Sequence, residues 1–113
     1  MKHLTYAEKS LLVGDEAAGL LLEYAAALTR SSSGDTVEVK AVGADGADVV
    51  ATFLLGAGSP LMVESSDSSM VEPDNSAAEV YLRDHLRILN AHPQGLPVGQ
   101  ADLAQLEEDF LDD

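Results

Sequence analysis

The spacing of apolar residues changes abruptly near residue 31, and this change restricts the chain to folds that combine helices with a sheet. Between residues 15 and 30 the apolar side chains recur at the spacing of an α-helix, which Gly14 and Asp15 introduce. After the turn-forming segment 31–35, residues 36–42 alternate between apolar and polar, as a strand with one wet face does. The two periods together predict an α+β domain.

Three consecutive strands are predicted in the middle of the chain. The segments 36–42, 49–55 and 61–65 are separated by glycine-rich turns, and the pair Asp45–Gly46 is a short-hairpin signal. The segment 49–55, VVATFLL, is apolar on both faces, so we expect this strand to be central and covered on both sides. These segments predict a three-stranded antiparallel meander. Residues 4–13 leave helix and strand open, so a fourth short N-terminal strand is an alternative.

Two helices are predicted after the strands. Ser76 and Glu79 have the spacing of a capping box at the start of a helix that extends to about Asn90. Residues 101–113 form a last short acidic helix or tail. The predicted architecture is therefore a single α+β domain over residues 1–113, in which the meander packs with an N-terminal helix and two C-terminal helices.

The chain is strongly acidic, with 20 Asp and Glu residues against 6 Lys and Arg residues and a formal charge of −14. Such a surface repels phosphates, so we expect no nucleic-acid binding and no docking to anionic lipid headgroups. Three interpretations of the acidity stay open, namely solubility, adaptation to a salty interior, and attraction to a basic partner protein.

The absence of certain residue types and segments from the sequence limits where we expect the protein to be located and which chemistry its sites can have. The chain has no cysteine, which excludes disulfides and thiolate metal sites. Asp15 and Glu16 interrupt any apolar region near the N-terminus, so we predict no secretory signal. No uncharged apolar run approaches about 18 residues, so no membrane span is predicted. The expected location is cytoplasmic.

Tyr81, His85 and His92 are the side chains that most invite a chemical interpretation. They lie on the apolar arc of the predicted helix, but the two histidines are seven positions apart, which is about 10 Å of helix rise. One metal ion is not held comfortably at that spacing, and no nucleophile is placed beside either imidazole. We predict no catalytic residue, no metal site and no cofactor. His85 is interpreted as a structural residue, with a pocket or interface near these three side chains as the alternative.

The C-terminal segment offers a second candidate surface. From Asn90 onward the chain has six acidic residues and no Lys or Arg. An amphipathic acidic segment of this kind is typical of peptides that occupy a groove on a basic partner. The residues predicted to bind the partner are Leu103, Leu106, Glu107, Glu108, Asp109 and Phe110.

These observations favour a small acidic, non-enzymatic protein that serves as a protein–protein interaction or regulatory module. Its expected partner is another protein of basic character, and a homodimer is an open alternative. Two further classes remain. One is a small-molecule-binding domain or minor enzyme with a pocket near Tyr81 and His85. The other is an acidic inhibitor that mimics a nucleic acid with carboxylates from residues 64–79 and 102–113.

Overall fold

Five strands form one antiparallel sheet in the computed structural model, which describes residues 1–91. Two helices pack on one face of this sheet, called the inner face below. The order of the strands across the sheet is β4-β3-β2-β1-β5. Along the chain the elements are β1 (Lys2–Tyr6), β2 (Lys9–Val13), α1 (Asp15–Arg30), β3 (Gly34–Val42), β4 (Asp48–Gly56), β5 (Leu61–Ser65) and α2 (Ser76–Ala91).

The α+β class is confirmed, but the three-stranded meander with three helices is wrong. Residues 2–13 form a β-hairpin, in which Leu4 lies opposite Leu11, and β1 lies between β2 and β5. Each of these two strands has only five residues, which is too few for an alternating pattern to stand out from an irregular segment. The described residues contain two helices, and the helix predicted over 101–113 lies outside them.

The prediction that VVATFLL forms a central strand is also wrong. This segment lies in β4, which among residues 1–91 pairs with β3 alone and forms one edge of the sheet. Phe53 and Leu55 point to the inner face and are buried, whereas Val50 and Leu54 are 63% and 64% exposed on the outer face. The apolar run therefore belongs to an edge strand with exposed apolar side chains on its outer face. The periodicity of a single strand does not distinguish such an edge strand from a central one.

The core forms where α1 lies across the inner face and α2 packs beside it. Helix α1 contacts β1, β3, β4 and β5, and α2 contacts α1 and β3. Burying one leucine of this core contributes about 1.5–3 kcal/mol, so the cluster as a whole holds the two layers together. Its most completely buried large side chains are Leu4, Val13, Leu21, Val39, Val42, Leu55 and Leu82.

The sheet narrows to a single bridge between its two halves. Strands β2 and β3 pair only where Leu12 lies opposite Val42. Next to this bridge the side chain of Asn75 takes the place of a neighbouring strand. The Lys40 backbone N–H donates to Asn75 Oδ1 at 2.7 Å, and Asn75 Nδ2 donates to the Lys40 carbonyl at 2.8 Å.

The same residue begins α2. The Asn75 carbonyl accepts the backbone N–H of Glu79 at 2.8 Å, which is the first hydrogen bond of the helix. The Ser76 hydroxyl donates to Asp74 Oδ1, so the predicted Ser76–Glu79 capping box does not form. Asn75 is 6% exposed, and it ties the start of α2 to the middle of β3.

Candidate functional site

An aromatic cluster joins both helices to β3 at the position where the sequence indicated Tyr81 and His85. The Tyr24 hydroxyl donates to Asp35 Oδ2 at 2.6 Å, and the Tyr81 hydroxyl donates to the same oxygen at 2.5 Å. The Tyr81 and His85 rings are stacked with their centroids 3.9 Å apart. One carboxylate thus holds a residue from each helix, so the cluster pins α2 against α1.

The hydrogen bonds of His85 are local to its own helix. Its Nδ1 lies 2.8 Å from the backbone carbonyl oxygen of Tyr81, one turn earlier. A carbonyl can only accept, so Nδ1 carries the proton in this contact. His92 lies outside the described residues, and the structure does not test its pairing with His85. The Tyr81–His85 pair is therefore a stacked surface, and neither residue lines the groove described below.

The two tyrosines hold their protons more tightly than free tyrosines do. Burial and the hydrogen bond to Asp35 raise the pKa of Tyr81 to about 12, and the same causes raise the pKa of Tyr24 further. Phenols that are this reluctant to ionise are poor general acids at neutral pH. The cluster consequently has the chemistry of a structural junction.

The raised pKa of Tyr81 should appear in the alkaline stability of the protein. Below pH 10 the phenol is neutral in both the folded and the unfolded chain, so its stabilising contribution is complete. As the pH rises from 10 to about 12 the unfolded state ionises first, and this stabilisation is lost. We expect Tyr81→Phe to be less stable at pH 8 but to lose less stability between pH 10 and 12. Urea unfolding of both proteins across this range measures the difference, and identical slopes would contradict the assignment.

A separate groove of about 1080 Å³ lies between the tip of the β1–β2 hairpin and β4. Its lining is mostly apolar and includes Leu11, Val49 and Ala51. The rings of Tyr6 and Phe53 meet at one end with their centroids 5.7 Å apart. An apolar groove of this size beside a sheet edge can hold a peptide segment.

The backbone of β4 alternates between groups that pair with β3 and groups that face the groove. Gly43 donates its N–H to the Ala47 carbonyl at 2.8 Å, which makes residue 47 and every second residue after it a partner of β3. Residues 48, 50, 52, 54 and 56 therefore direct their N–H and C=O groups toward the free edge. Two contacts agree with this assignment, because the Leu54 carbonyl and the Gly56 N–H both bind side chains outside β3.

Only part of this free edge is occupied. The Tyr6 hydroxyl donates to the Leu54 carbonyl at 2.5 Å, and the Gly56 N–H donates to Ser59 Oγ at 2.8 Å. Within residues 1–91, the outward backbone groups of Val50 and Thr52 make no hydrogen bond. The edge is thus closed by side chains at one end and open along its middle.

Within residues 1–91, most features that usually protect an edge strand do not occur along the middle of β4. Natural proteins block such edges with lysine, proline, bulges or a covering element. Residues 48–56 contain neither lysine nor proline, and the side chains of Val50 and Leu54 are largely exposed. The sequence analysis did not identify this site. The signal was present in the two apolar faces of VVATFLL, but we interpreted it as central burial.

Three charged residues line the groove, Glu8, Lys9 and Asp45. Asp48 begins β4 and is exposed, and Glu38 lies opposite Thr52 on the outer face. Carboxylates therefore outnumber ammonium groups around the open edge. The predicted partner-binding residues of the acidic tail, from Leu103 to Phe110, lie outside the described residues.

Neither comparison with known proteins nor the grouping of side chains in residues 1–91 identifies an activity. No protein-family model, curated protein or solved structure matches the chain. Neither helix of residues 1–91 is long and apolar enough to cross a membrane. In the same part of the chain, no three His, Asp or Glu side chains are grouped to hold a metal ion. The open edge of β4 is the candidate functional site.

Proposed function

We propose that the protein is a small, non-enzymatic protein-interaction module that binds an extended segment of a basic partner protein along the free edge of β4. The observation that carries this proposal is the row of backbone groups at Val50 and Thr52 that have no partner within residues 1–91 and lie beside an apolar groove. Each new backbone hydrogen bond contributes about 0.5–1.5 kcal/mol, and the apolar lining adds burial. Addition of a strand to an exposed edge is a common mode of peptide recognition.

An extended segment suits both faces of β4. Successive side chains of a strand point to opposite sides, so a bound segment presents alternate residues to the groove lining and to the outer face. On the groove side it meets Ala51 and Phe53, and on the outer face it covers Val50 and Leu54. A helix does not offer the backbone donors and acceptors that this edge leaves unpaired, because its own are used internally.

The charge distribution favours a basic partner over the other two candidate occupants. Glu8, Asp45 and Asp48 surround the open edge, and Glu38 lies on its outer face, with Lys9 and Lys40 as the opposing cations. A second copy of the chain carries the same charge of −14, and the segment from Asn90 onward carries six acids without a base. Attraction to a basic segment accelerates encounter and weakens with added salt.

The test removes the outward N–H of Thr52 and leaves the hydrogen bonds between β3 and β4 intact. Thr52→Pro removes one open donor and obstructs an incoming strand, and proline is tolerated where an edge N–H faces solvent. Thr52→Val is the matched control, because it keeps the N–H and the shape of the side chain. The probe is a synthetic peptide of alternating valine and lysine, and a valine–glutamate peptide is the charge control.

We expect the valine–lysine peptide to shift the amide resonances of Val50 and Thr52 in the wild type and in Thr52→Val. Thr52→Pro should weaken binding by about tenfold or more, because it loses one hydrogen bond and adds a steric clash. The valine–glutamate peptide should bind more weakly than its lysine counterpart. Equal binding by a folded Thr52→Pro protein would overturn the proposal, as would shifts confined to other parts of the sheet.

A further inference from the structure

We infer that Tyr6 sets where the bound strand ends, and that it thereby limits the partner segment to about five residues opposite Asp48–Thr52. This inference rests on the proposed function, since it concerns the same edge of β4. Its structural basis is the hydrogen bond that the Tyr6 hydroxyl donates to the Leu54 carbonyl oxygen at 2.5 Å. That carbonyl is the next outward acceptor that a longer segment would need.

Tyr6 is fixed in place by the sheet itself. It is the last residue of β1, and it pairs with Lys9 on one side and with Leu61 on the other. Its ring also packs against Phe53, whose side chain is buried. Displacing the hydroxyl from Leu54 therefore requires movement of a side chain held by two strands and an aromatic neighbour, which makes it a firm boundary.

Beyond Leu54 the edge is closed again by Ser59. The next outward group, the Gly56 N–H, donates to Ser59 Oγ at 2.8 Å. The open stretch therefore runs from the start of β4 to Thr52, where the backbone groups of Val50 and Thr52 have no partner within residues 1–91. Two side chains from two different segments end the open stretch at the same place.

The two ends of the open stretch differ in chemistry, and this difference defines the partner segment. The end next to the β3–β4 turn carries the carboxylates of Asp45 and Asp48. The other end is bounded by the rings of Tyr6 and Phe53. The segment that fits has a lysine or arginine at the turn end and apolar residues toward Tyr6.

The experiment compares peptides of three, five, seven and nine residues with alternating valine and lysine. In the wild type, affinity should rise up to about five residues and then stay level, because the next outward acceptor, the Leu54 carbonyl, is already bonded to Tyr6. Tyr6→Phe removes the hydroxyl, and Tyr6→Val removes the ring as well. With the boundary removed, the seven-residue peptide should bind about three- to tenfold more tightly than the five-residue peptide.

Ser59→Ala is the matched control, because it opens the Gly56 N–H and removes the 3.4 Å contact of Ser59 Oγ with the Leu54 carbonyl, but leaves the shorter Tyr6 hydrogen bond on that carbonyl. It should keep the wild-type plateau. If the wild type shows no plateau, or if neither Tyr6 variant extends it, the role of Tyr6 is overturned while binding at β4 stands. If no peptide of any length shifts the Val50 and Thr52 amides, the proposed function fails, and the inference fails with it.

Discussion

Gly56→Ala should lower the free energy of unfolding by about 3 kcal/mol, one of the two largest effects expected for a single substitution in this protein. Gly56 has φ +151°, a conformation that residues with a side chain rarely adopt. An added Cβ would also lie 2.5 Å from the Ser33 carbonyl oxygen and 3.0 Å from Gly34 Cα. Both neighbours are backbone atoms, so they cannot swing away as a flexible side chain could.

Gly58→Ala is the matched control in the same turn. Gly58 also has a positive φ, +80°, but an added Cβ meets no atom within 4 Å. Its substitution should therefore cost only the conformational strain, about 1 kcal/mol. Urea denaturation of the three proteins measures both effects. Equal losses for the two alanine variants would show that the contact with Ser33 is not the cause.

Asn75→Leu should cost about 2–4 kcal/mol, the second large effect. The substitution removes two hydrogen bonds, to the N–H and to the C=O of Lys40, and leaves both backbone groups without a partner. Leucine has the same number of side-chain heavy atoms as asparagine and the same branching at Cγ, so no cavity forms and the loss reports mainly on polar pairing.

Ser76→Ala serves as the control for Asn75. Its hydroxyl donates only to the exposed carboxylate of Asp74, so we expect a change within about 0.5 kcal/mol. Hydrogen exchange of the Lys40 amide provides a second measurement, and it should accelerate in Asn75→Leu. If stability and exchange match the wild type, water has replaced the side chain and the pairing is dispensable.

The parts of the fold that could be predicted are those in which one long segment carries its own pattern. Helix α1 has sixteen residues and a continuous apolar stripe, and its Asp15–Arg30 bounds match the segment predicted from sequence. The β3–β4 hairpin was likewise marked by alternation and by the Asp45–Gly46 turn. For residues 4–13 the sequence offered at most one short strand, as an alternative, because the five residues of β1 and of β2 hold too few alternations. Gly14 also ends a strand as readily as it begins a helix.

The candidate sites depend on contacts between distant residues, which periodicity does not report. Tyr81 and His85 were identified because they lie on the apolar arc of the predicted helix, and the structure places their rings in contact. The carboxylate partner of Tyr81 is Asp35, which lies 46 positions away in the sequence, so the pattern of the helix does not indicate it. Whether β4 lies at the edge or in the centre of the sheet depends on how all the strands pair. The pattern within one strand does not contain that information.

The seam between β2 and β3 gives the sheet a mechanical joint. The ladder β5-β1-β2 and the hairpin β3–β4 are joined by the bridge from Leu12 to Val42, and the Tyr6 hydroxyl connects them again at the Leu54 carbonyl. Asn75 holds Lys40 on the hairpin side of the bridge. One wall of the β4 groove belongs to each side of this joint, so the angle at the seam sets the width of the groove. A segment that bonds to β4 and contacts Leu11 touches both halves of the sheet and holds them at a fixed angle. Binding of the segment should then also make the sheet more rigid. We expect the Lys40 amide to exchange more slowly in the bound protein.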